Sequence, residues 1–198
     1  MGMHKILTRT SLAFLLFTIC LWADSDTSLI EFRKFRSWAI SGEIGMNSLA
    51  SLIGPVLSYY PKPEIALDGG VGLSSNGLRP GIRARYLFTP KEKTSFYGGL
   101  GLKYGLGSGG TEVKIKDTQS NLDVSVIEEP TAFVDGMLGV EFLANNGFLV
   151  IANLGYSKIL TSNPYTLTAG TLTEKSKTTF DTIFGSGIML SVSLGKAF

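Results

Sequence analysis

The sequence predicts an all-β fold, an eight-stranded antiparallel up-and-down transmembrane β-barrel. Apolar and polar residues alternate with a period of two over eight segments, a pattern typical of strands whose two faces meet different surroundings. The charged side chains of these segments share one parity, and aromatic residues gather near the segment ends. Glycines scattered through the apolar stretches argue against long helices. After residue 23, no apolar run reaches the roughly 18 residues that indicate a membrane-spanning helix.

The N-terminus has the organisation of a secretory signal peptide. Lys5 and Arg9 give a basic start, an apolar run extends from Leu12 to Trp22, and Ala23 stands at a suitable cleavage position. The apolar run is too short to span a membrane as a helix. The sequence therefore predicts export across the inner membrane, with cleavage directly after the alanine.

This cleavage decides which chemistry the mature chain retains. It removes the only His, the only Cys and two of the 18 basic residues, but none of the 16 acidic ones. Ile19 stands where a lipidated Cys20 would need a small neighbour, so acylation of that cysteine is not expected. The formal charge becomes zero, which gives no reason to expect a nucleic-acid partner. The predicted organisation is a signal peptide over 1–23, a periplasmic N-terminal lead-in over 24–37 and an outer-membrane β-barrel over 38–198.

The predicted strands are separated by segments with turn chemistry. Asn76-Gly77 and Asn146-Gly147 suit tight hairpins, whereas the connections 106–130 and 159–179 are long. Short turns on one side and longer loops on the other are typical of outer-membrane barrels. Pro55 has no free sheet edge in a closed barrel, so the second strand is expected to begin later or to bulge there. The predicted strands are 38–47, 51–60, 64–73, 77–88, 95–105, 131–143, 147–158 and 180–197.

The shared parity of the charges predicts that they face the lumen, because an outward Arg or Lys at mid-membrane costs about 2–4 kcal/mol. Eight strands enclose a lumen that side chains just fill, and buried charges need partners. Lys103 is level with Asp135 near the loops. Arg85 is level with Glu141 and Asp68 near the opposite end. These groups are expected to pair and plug the lumen. The predicted lumen charge network comprises Glu43, Asp68, Arg79, Arg83, Arg85, Lys103, Asp135 and Glu141.

The aromatic residues are expected to mark two lipid–water boundaries, where amphipathic rings are stable. An aromatic core in a soluble β-protein would instead place these rings in mid-strand. The predicted periplasmic belt comprises Trp38, Tyr59, Tyr86, Phe88, Phe96, Phe142, Phe148 and Phe198. The belt predicted near the loops comprises Tyr104, Phe133, Tyr156 and Phe180.

The chain ends in an alternating segment, GIMLSVSLGKAF, with Phe198 as the last residue. Termini are usually frayed and polar, so this strand is expected to be docked, and in a barrel it closes against the first strand. The segment resembles the C-terminal recognition signal of bacterial outer-membrane proteins, with Lys196 in place of an apolar residue. By architecture the mature chain resembles small outer-membrane barrels of the OmpA and OmpX type. The resemblance implies a bacterial outer-membrane location, contact with outer-membrane lipid and insertion by the barrel-assembly machinery.

Two motifs have simpler structural interpretations. Residues 105–110 contain G-x-G-x-x-G, but neither a helix nor a suitably placed acidic residue follows, so a dinucleotide site is not expected. The arginines of RPGIRAR (79–85) fall on one face of a strand. This spacing favours a stack of guanidinium groups facing lumen carboxylates over an anion or nucleic-acid patch.

No cofactor, metal or catalytic residue is predicted. Without His or Cys, only scattered carboxylates could bind a metal. Outer-membrane lipases, proteases and lipid A-modifying enzymes resemble one another in using a histidine, which the mature chain lacks. Catalysis by carboxylates alone, at Glu43 or Asp68, is the remaining enzymatic alternative, but a lumen of counter-charges favours ionised, paired groups over a tuned acid.

The two long connections are the part of the chain in which functional residues are expected. Residues 111–117, 121–129 and 165–173 alternate and are predicted to prolong the barrel strands as hairpins above the membrane. Exposed ribbons of this kind can bind partners by edge pairing. The first hypothesis is a monomeric barrel with a structural or surface-interaction role and an extracellular partner that the sequence does not name. The alternatives are a narrow pore for ions or small solutes and a periplasmic lipocalin-like binder with an apolar interior.

Overall fold

The computed structural model describes residues 36–74, 77–116, 123–161, 164–170, 173, 178 and 185–198. The predicted signal peptide and residues 24–35 of the predicted lead-in lie outside them. Within the described part of the chain, no helix is long and apolar enough to cross a membrane.

Eight of the strands close into an antiparallel barrel, which confirms the predicted fold class. In chain order the strands are β1 (Trp38–Ser48), β2 (Ser51–Lys62), β3 (Ile65–Ser74), β4 (Gly77–Leu87), β5 (Thr94–Gly105), β6 (Glu112–Lys116), β7 (Asp123–Glu128), β8 (Thr131–Leu143), β9 (Phe148–Ile159), β10 (Tyr165–Ala169) and β11 (Gly187–Ala197). The barrel order is β1-β11-β9-β8-β5-β4-β3-β2, so β2 also pairs with β1. The connections 63–64, 88–93 and 144–147 lie at one end, called here the turn end; the long connections lie at the opposite loop end.

The C-terminal strand closes the barrel. β11 pairs with β1 from Ala39↔Ala197 to Met46↔Leu190. The Phe198 amide donates to the Trp38 carbonyl at 2.8 Å, and the reciprocal hydrogen bond is 3.1 Å long. The last residue is therefore docked by backbone pairing, although its side chain is exposed on the outer surface.

Most strand bounds agree with the sequence prediction to within two residues, but the expectation for Pro55 is wrong. β2 runs through Pro55, which pairs with Gly42 in the same register as Ile53 with Ile44. The register shifts lie elsewhere, between Ile44 and Ser48 in the β1–β2 pair and between Tyr59 and Lys62 in the β2–β3 pair. For the last predicted strand, the described part begins at residue 185.

The long connections form a second sheet instead of prolonging the barrel strands. β6 and β7 pair as a hairpin, as the alternation predicts. β10, from the other long connection, pairs with β7, giving a three-stranded sheet in the order β10-β7-β6. The Glu129 amide also donates to the Pro164 carbonyl at 3.0 Å. The two connections are therefore one structural unit, called here the loop sheet.

Candidate functional site: the barrel lumen

All eight charged residues predicted to face the lumen are buried, each at most 3% exposed. They come from β1, β3, β4, β5 and β8. Because side chains alternate across a strand, one parity of each strand supplies the whole set. The wall made by β9 and β11 supplies uncharged polar groups instead, namely Asn153, Ser157, Ser191 and Ser193.

Two arginines of β4 meet at one carboxylate of β3. Arg83 Nε lies 2.6 Å and Arg85 Nε 2.7 Å from Asp68 Oδ2. A second hydrogen bond, 2.9 Å from Arg85 Nη2 to Asp68 Oδ1, makes that contact bidentate. The register explains the cluster, since Asp68 is directly opposite Arg83 and Arg85 is two residues along the same face.

The two guanidinium groups extend the cluster across the lumen. Arg83 Nη1 lies 3.1 Å from Glu43 Oε2 on β1, and Arg85 Nη1 lies 2.6 Å from Glu141 Oε2 on β8. The hydroxyl of Tyr60 donates to the same oxygen of Glu141 at 2.9 Å. Five charged side chains from four strands are thus joined in one chain of charge-assisted hydrogen bonds, the strong class of such bonds.

A separate group lies nearer the loop end. Lys103 Nζ lies 3.0 Å from Asp135 Oδ1. The guanidinium carbon of Arg79 lies 4.5 Å from the ring centre of Phe133, and Lys103 Nζ lies 5.6 Å from the same centre. Cations over an aromatic face are attracted by its quadrupole. Phe133 is therefore a lumen residue whose ring is close to two cations.

This position of Phe133 corrects the sequence prediction, which assigned the ring to the lipid boundary. Phe133 is two residues before Asp135 and shares its parity, so both must point inward. Phe180, the other predicted phenylalanine near the loops, lies outside the described residues. Tyr104 and Tyr156 are exposed on the outer surface at that end.

At the turn end, seven predicted aromatic residues are exposed and Phe142 is partly exposed. Trp38 and Tyr59 lie with ring centres 4.7 Å apart, and Tyr86 and Phe88 lie 5.9 Å apart. Large aliphatic side chains are exposed between the barrel ends, including Ile44, Leu100 and Leu138. The outer surface is therefore apolar, and the interior carries the charges. The seven exposed residues are Trp38, Tyr59, Tyr86, Phe88, Phe96, Phe148 and Phe198.

An apolar cluster fills lumen space that the charges do not occupy. It is weighted toward the turn end, where it includes Ala39, Leu87, Leu143 and Ala197, with Tyr60 packed against it. Burial of aliphatic side chains excludes water from this part of the interior. The remaining members are Ala66, Tyr97, Met137, Leu149, Ile151 and Met189.

Tyr97 is a buried lumen residue that the pattern of charges in the sequence does not indicate. Its ring lies against Gly139, its directly paired residue on β8, where a Cβ would collide with the phenol. Its hydroxyl donates to Asn153 Oδ1, and Asn153 Nδ2 donates to Ser191 Oγ at 2.8 Å. The guanidinium of Arg85 lies 5.0 Å from the Tyr97 ring centre. Strand parity alone could have placed Tyr97 inside, because it is six residues from Lys103.

The described residues contain no group of three or more His, Cys, Asp or Glu side chains arranged to hold a metal ion. Asp68 and Glu141 accept short hydrogen bonds from guanidinium groups. What the arrangement does chemically is to neutralise charge inside the barrel.

No protein-family model and no curated protein matches this chain. Among solved structures it is similar to CarO of Acinetobacter baumannii, with 12% identity, a TM-score of 0.37, and coverage of 84% of this chain and 99% of that one. It is also similar to outer membrane protein W of E. coli, with 13% identity, a TM-score of 0.39, and coverage of 82% and 98%. At these values the likeness carries no functional inference.

Proposed function

We propose that this protein is a bacterial outer-membrane barrel whose lumen is closed to ions and whose loop sheet has a structural or surface-interaction role. The observation that supports it best is the polarity of the barrel, with eight charges buried inside and apolar side chains exposed outside. A soluble barrel would have the opposite arrangement.

Lipid is the solvent that suits this outer surface. Exposed aliphatic residues cover the barrel between its ends, and an apolar surface of that extent in water would promote association. A lipocalin-like binder needs an apolar interior and a polar exterior, and neither matches this barrel. Membrane fractionation tests the placement. The protein should stay in the outer-membrane fraction after carbonate and urea washing, whereas release into the soluble fraction would favour the periplasmic binder.

Pairing of the lumen charges supports a closed lumen over a narrow pore. Arg83, Arg85 and Lys103 each contact a carboxylate, with both partners essentially inaccessible to solvent. An ion would have to displace these contacts, and a buried charge that loses its partner is strongly destabilised. The apolar cluster adds a second barrier toward the turn end.

The loop sheet is the part of the protein best suited to contact a partner at the cell surface. Its edge strands are β6 and β10, and the side chains of Thr166, Leu167 and Thr168 are exposed. Edge strands can pair with an extended peptide. The proposal includes no catalytic role.

Replacing residues 106–130 and 160–186 by short turns tests the role of the loop sheet. The intact and the shortened barrel should both fold. Folding is measured by comparing gel migration before and after heating. Each is then exposed to an array of immobilised peptides and glycans. Binding by the intact protein alone would support a surface-interaction role, and equal signals from both would leave only a structural role.

Export and assembly follow from the two ends of the chain. We infer cleavage before Asp24, because Ala23 follows the apolar run. Phe198 then serves both as a recognition element for the barrel-assembly machinery and as an anchoring ring at the interface. A monomer is proposed, since the closed barrel leaves no unpaired edge among its eight strands. The intact mass of purified protein tests the cleavage site, and an acylated Cys20 would contradict it.

A further inference from the structure

The β1–β2 turn lies inside the barrel, although its strands would allow it to project above. Leu49 is 1% exposed and clusters with Ala50 and Val56. Two glycines of neighbouring strands provide the space. A Cβ at Gly81 would lie 2.8 Å from Leu49 Cδ1, and a Cβ at Gly70 would lie 3.2 Å from Leu49 Cδ2. The turn thus fills lumen volume near the loop end.

Two polar contacts attach the turn to the lumen charges. The Ala50 amide donates to Glu43 Oε1 at 3.0 Å, and Lys103 Nζ donates to the Asn47 carbonyl. Glu43 also accepts from Arg83, and Lys103 also pairs with Asp135. The same groups that neutralise the lumen therefore hold the turn in place.

The turn backbone has two residues in the left-handed region. Asn47 has φ of 50°, a conformation that asparagine tolerates, whereas Ser51 has φ of 58°, which is strained for a serine. The β1–β2 register also shifts between Ile44 and Ser48. Such conformations persist only when the surrounding contacts over-determine them. Loss of those contacts should release the turn outward.

We propose that residues 47–51 are a movable stopper that closes the loop end of the lumen and opens it by swinging outward. The inference rests on the proposed closed lumen and identifies the element that closes its loop end. Outward movement would take Leu49 away from Gly70 of β3 and Gly81 of β4, and it would break the contacts of Glu43 and Lys103 with the turn. Current would still have to pass the charged chain and the apolar cluster, so cysteine accessibility at the turn is the direct measure of the stopper.

A single-cysteine experiment measures the position of the turn. Cys20, the only cysteine, precedes the predicted cleavage site, so the mature chain offers a clean background. Leu49→Cys is compared with Thr111→Cys, an exposed position on the loop side. Both variants are placed in lipid vesicles and treated with an impermeant maleimide. Leu49→Cys should react at least about tenfold more slowly than Thr111→Cys, because a buried site reacts only through local opening.

A matched pair of glycine variants then forces the turn outward. A Cβ at Gly72 would collide with the Ala50 carbonyl, whereas Gly69, on the opposite face of the same strand, has nothing within 4 Å of its Cβ position. Gly72→Ala should raise labelling of Leu49→Cys about tenfold, toward the Thr111→Cys rate. Gly69→Ala should leave it unchanged. Gel migration before heating shows that each barrel is folded. If Gly72→Ala does not fold, Lys103→Met, which removes the bond to Asn47, is the second variant and should also accelerate labelling.

Two results would overturn the stopper. One is Leu49→Cys reacting as fast as Thr111→Cys in otherwise unchanged protein. The other is unchanged labelling in folded Gly72→Ala or, where that barrel does not fold, in Lys103→Met. Either result combined with a non-conducting wild-type barrel would leave the closed lumen intact and assign its closure to the charged chain and the apolar cluster. Conduction by the wild-type protein would defeat the closed lumen itself.

Discussion

Arg83 connects two of the three carboxylates in the chain of charged side chains across the lumen, namely Glu43 and Asp68, so its replacement tests the energetic importance of that network. In the folded protein Arg83 lies 3.1 Å from Glu43 and 2.6 Å from Asp68, with no side chain of the three accessible to solvent. Breaking a buried ion pair from one side costs about 3–5 kcal/mol, because it leaves a buried charge without its partner.

Two substitutions at Arg83 should differ in a defined way. In Arg83→Met, Asp68 keeps its bidentate contact with Arg85, and Glu43 keeps donors from Ser193 and Ala50. The loss of stability should therefore be near the lower end of the range, about 3 kcal/mol. Arg83→Glu places a carboxylate between those of Glu43 and Asp68, so the loss of stability should reach about 5 kcal/mol or more. This variant should also admit intermittent current.

The assay is reversible urea unfolding in lipid vesicles, followed by the fluorescence of Trp38, which lies on the outer surface. Lys158→Met, at an exposed position, is the control. Adding Glu43→Gln to Arg83→Met should recover part of the loss, with a coupling of about 1–3 kcal/mol. Surface substitutions usually change the free energy of unfolding by no more than about 0.5 kcal/mol. If the free energies of unfolding of Arg83→Met and the Lys158→Met control differ by no more than this, the network does not stabilise the barrel.

Three further predictions concern other parts of the molecule. Gly139→Ala, whose new methyl group would meet both the phenol of Tyr97 and the carbonyl oxygen of Ala152, should lower the free energy of unfolding by about 1–3 kcal/mol; Gly136→Ala, in open space, should not, and equal effects would show that the close packing at Gly139 does not stabilise the barrel. Deleting Phe198 should reduce outer-membrane yield more than the stability of refolded protein, and equal losses would make it only a packing residue. Burial raises the pKa of Glu128 in the loop sheet, against the opposing attraction of Arg79. A raised pKa means that the folded state favours the protonated carboxyl. Hydrogen-exchange protection of β7, corrected for intrinsic rates, should therefore be highest at low pH and should fall as the pH rises through this pKa. A Glu128→Gln variant with the same pH dependence would contradict this.

Most of what could be predicted from the sequence, namely which side chains face the lumen, follows from strand parity. One buried face per strand fixes the register, because a slip of one residue would turn every charge toward the outside. The same rule places Phe133 and Tyr97 in the lumen. Position near a strand end assigns Phe133 to an aromatic belt, and this criterion fails because the parity of β8 turns the ring into the lumen.

Long-range pairing and the geometry of turns could not be predicted in the same way. Nothing in the alternation of residues 165–173 indicates that β10 pairs with β7 across more than thirty residues of chain, because each segment reads as a strand without naming its partner. The inward β1–β2 turn depends on glycines 70, 72 and 81, which contact the turn but belong to β3 and β4, strands that do not flank it in the sequence. Pro55 was expected to disrupt β2, but the disturbance of register falls at other positions of the strand.

The closed lumen is the central claim, and single-channel recording tests it most directly. Purified wild-type protein is inserted into a planar bilayer under symmetric salt, and insertion is verified independently by protease protection of the vesicles used for fusion. The paired charges and the apolar cluster predict no steady conductance from the inserted barrel. Stable, ion-selective channels from the wild-type protein would contradict the closed lumen and establish the narrow pore in its place.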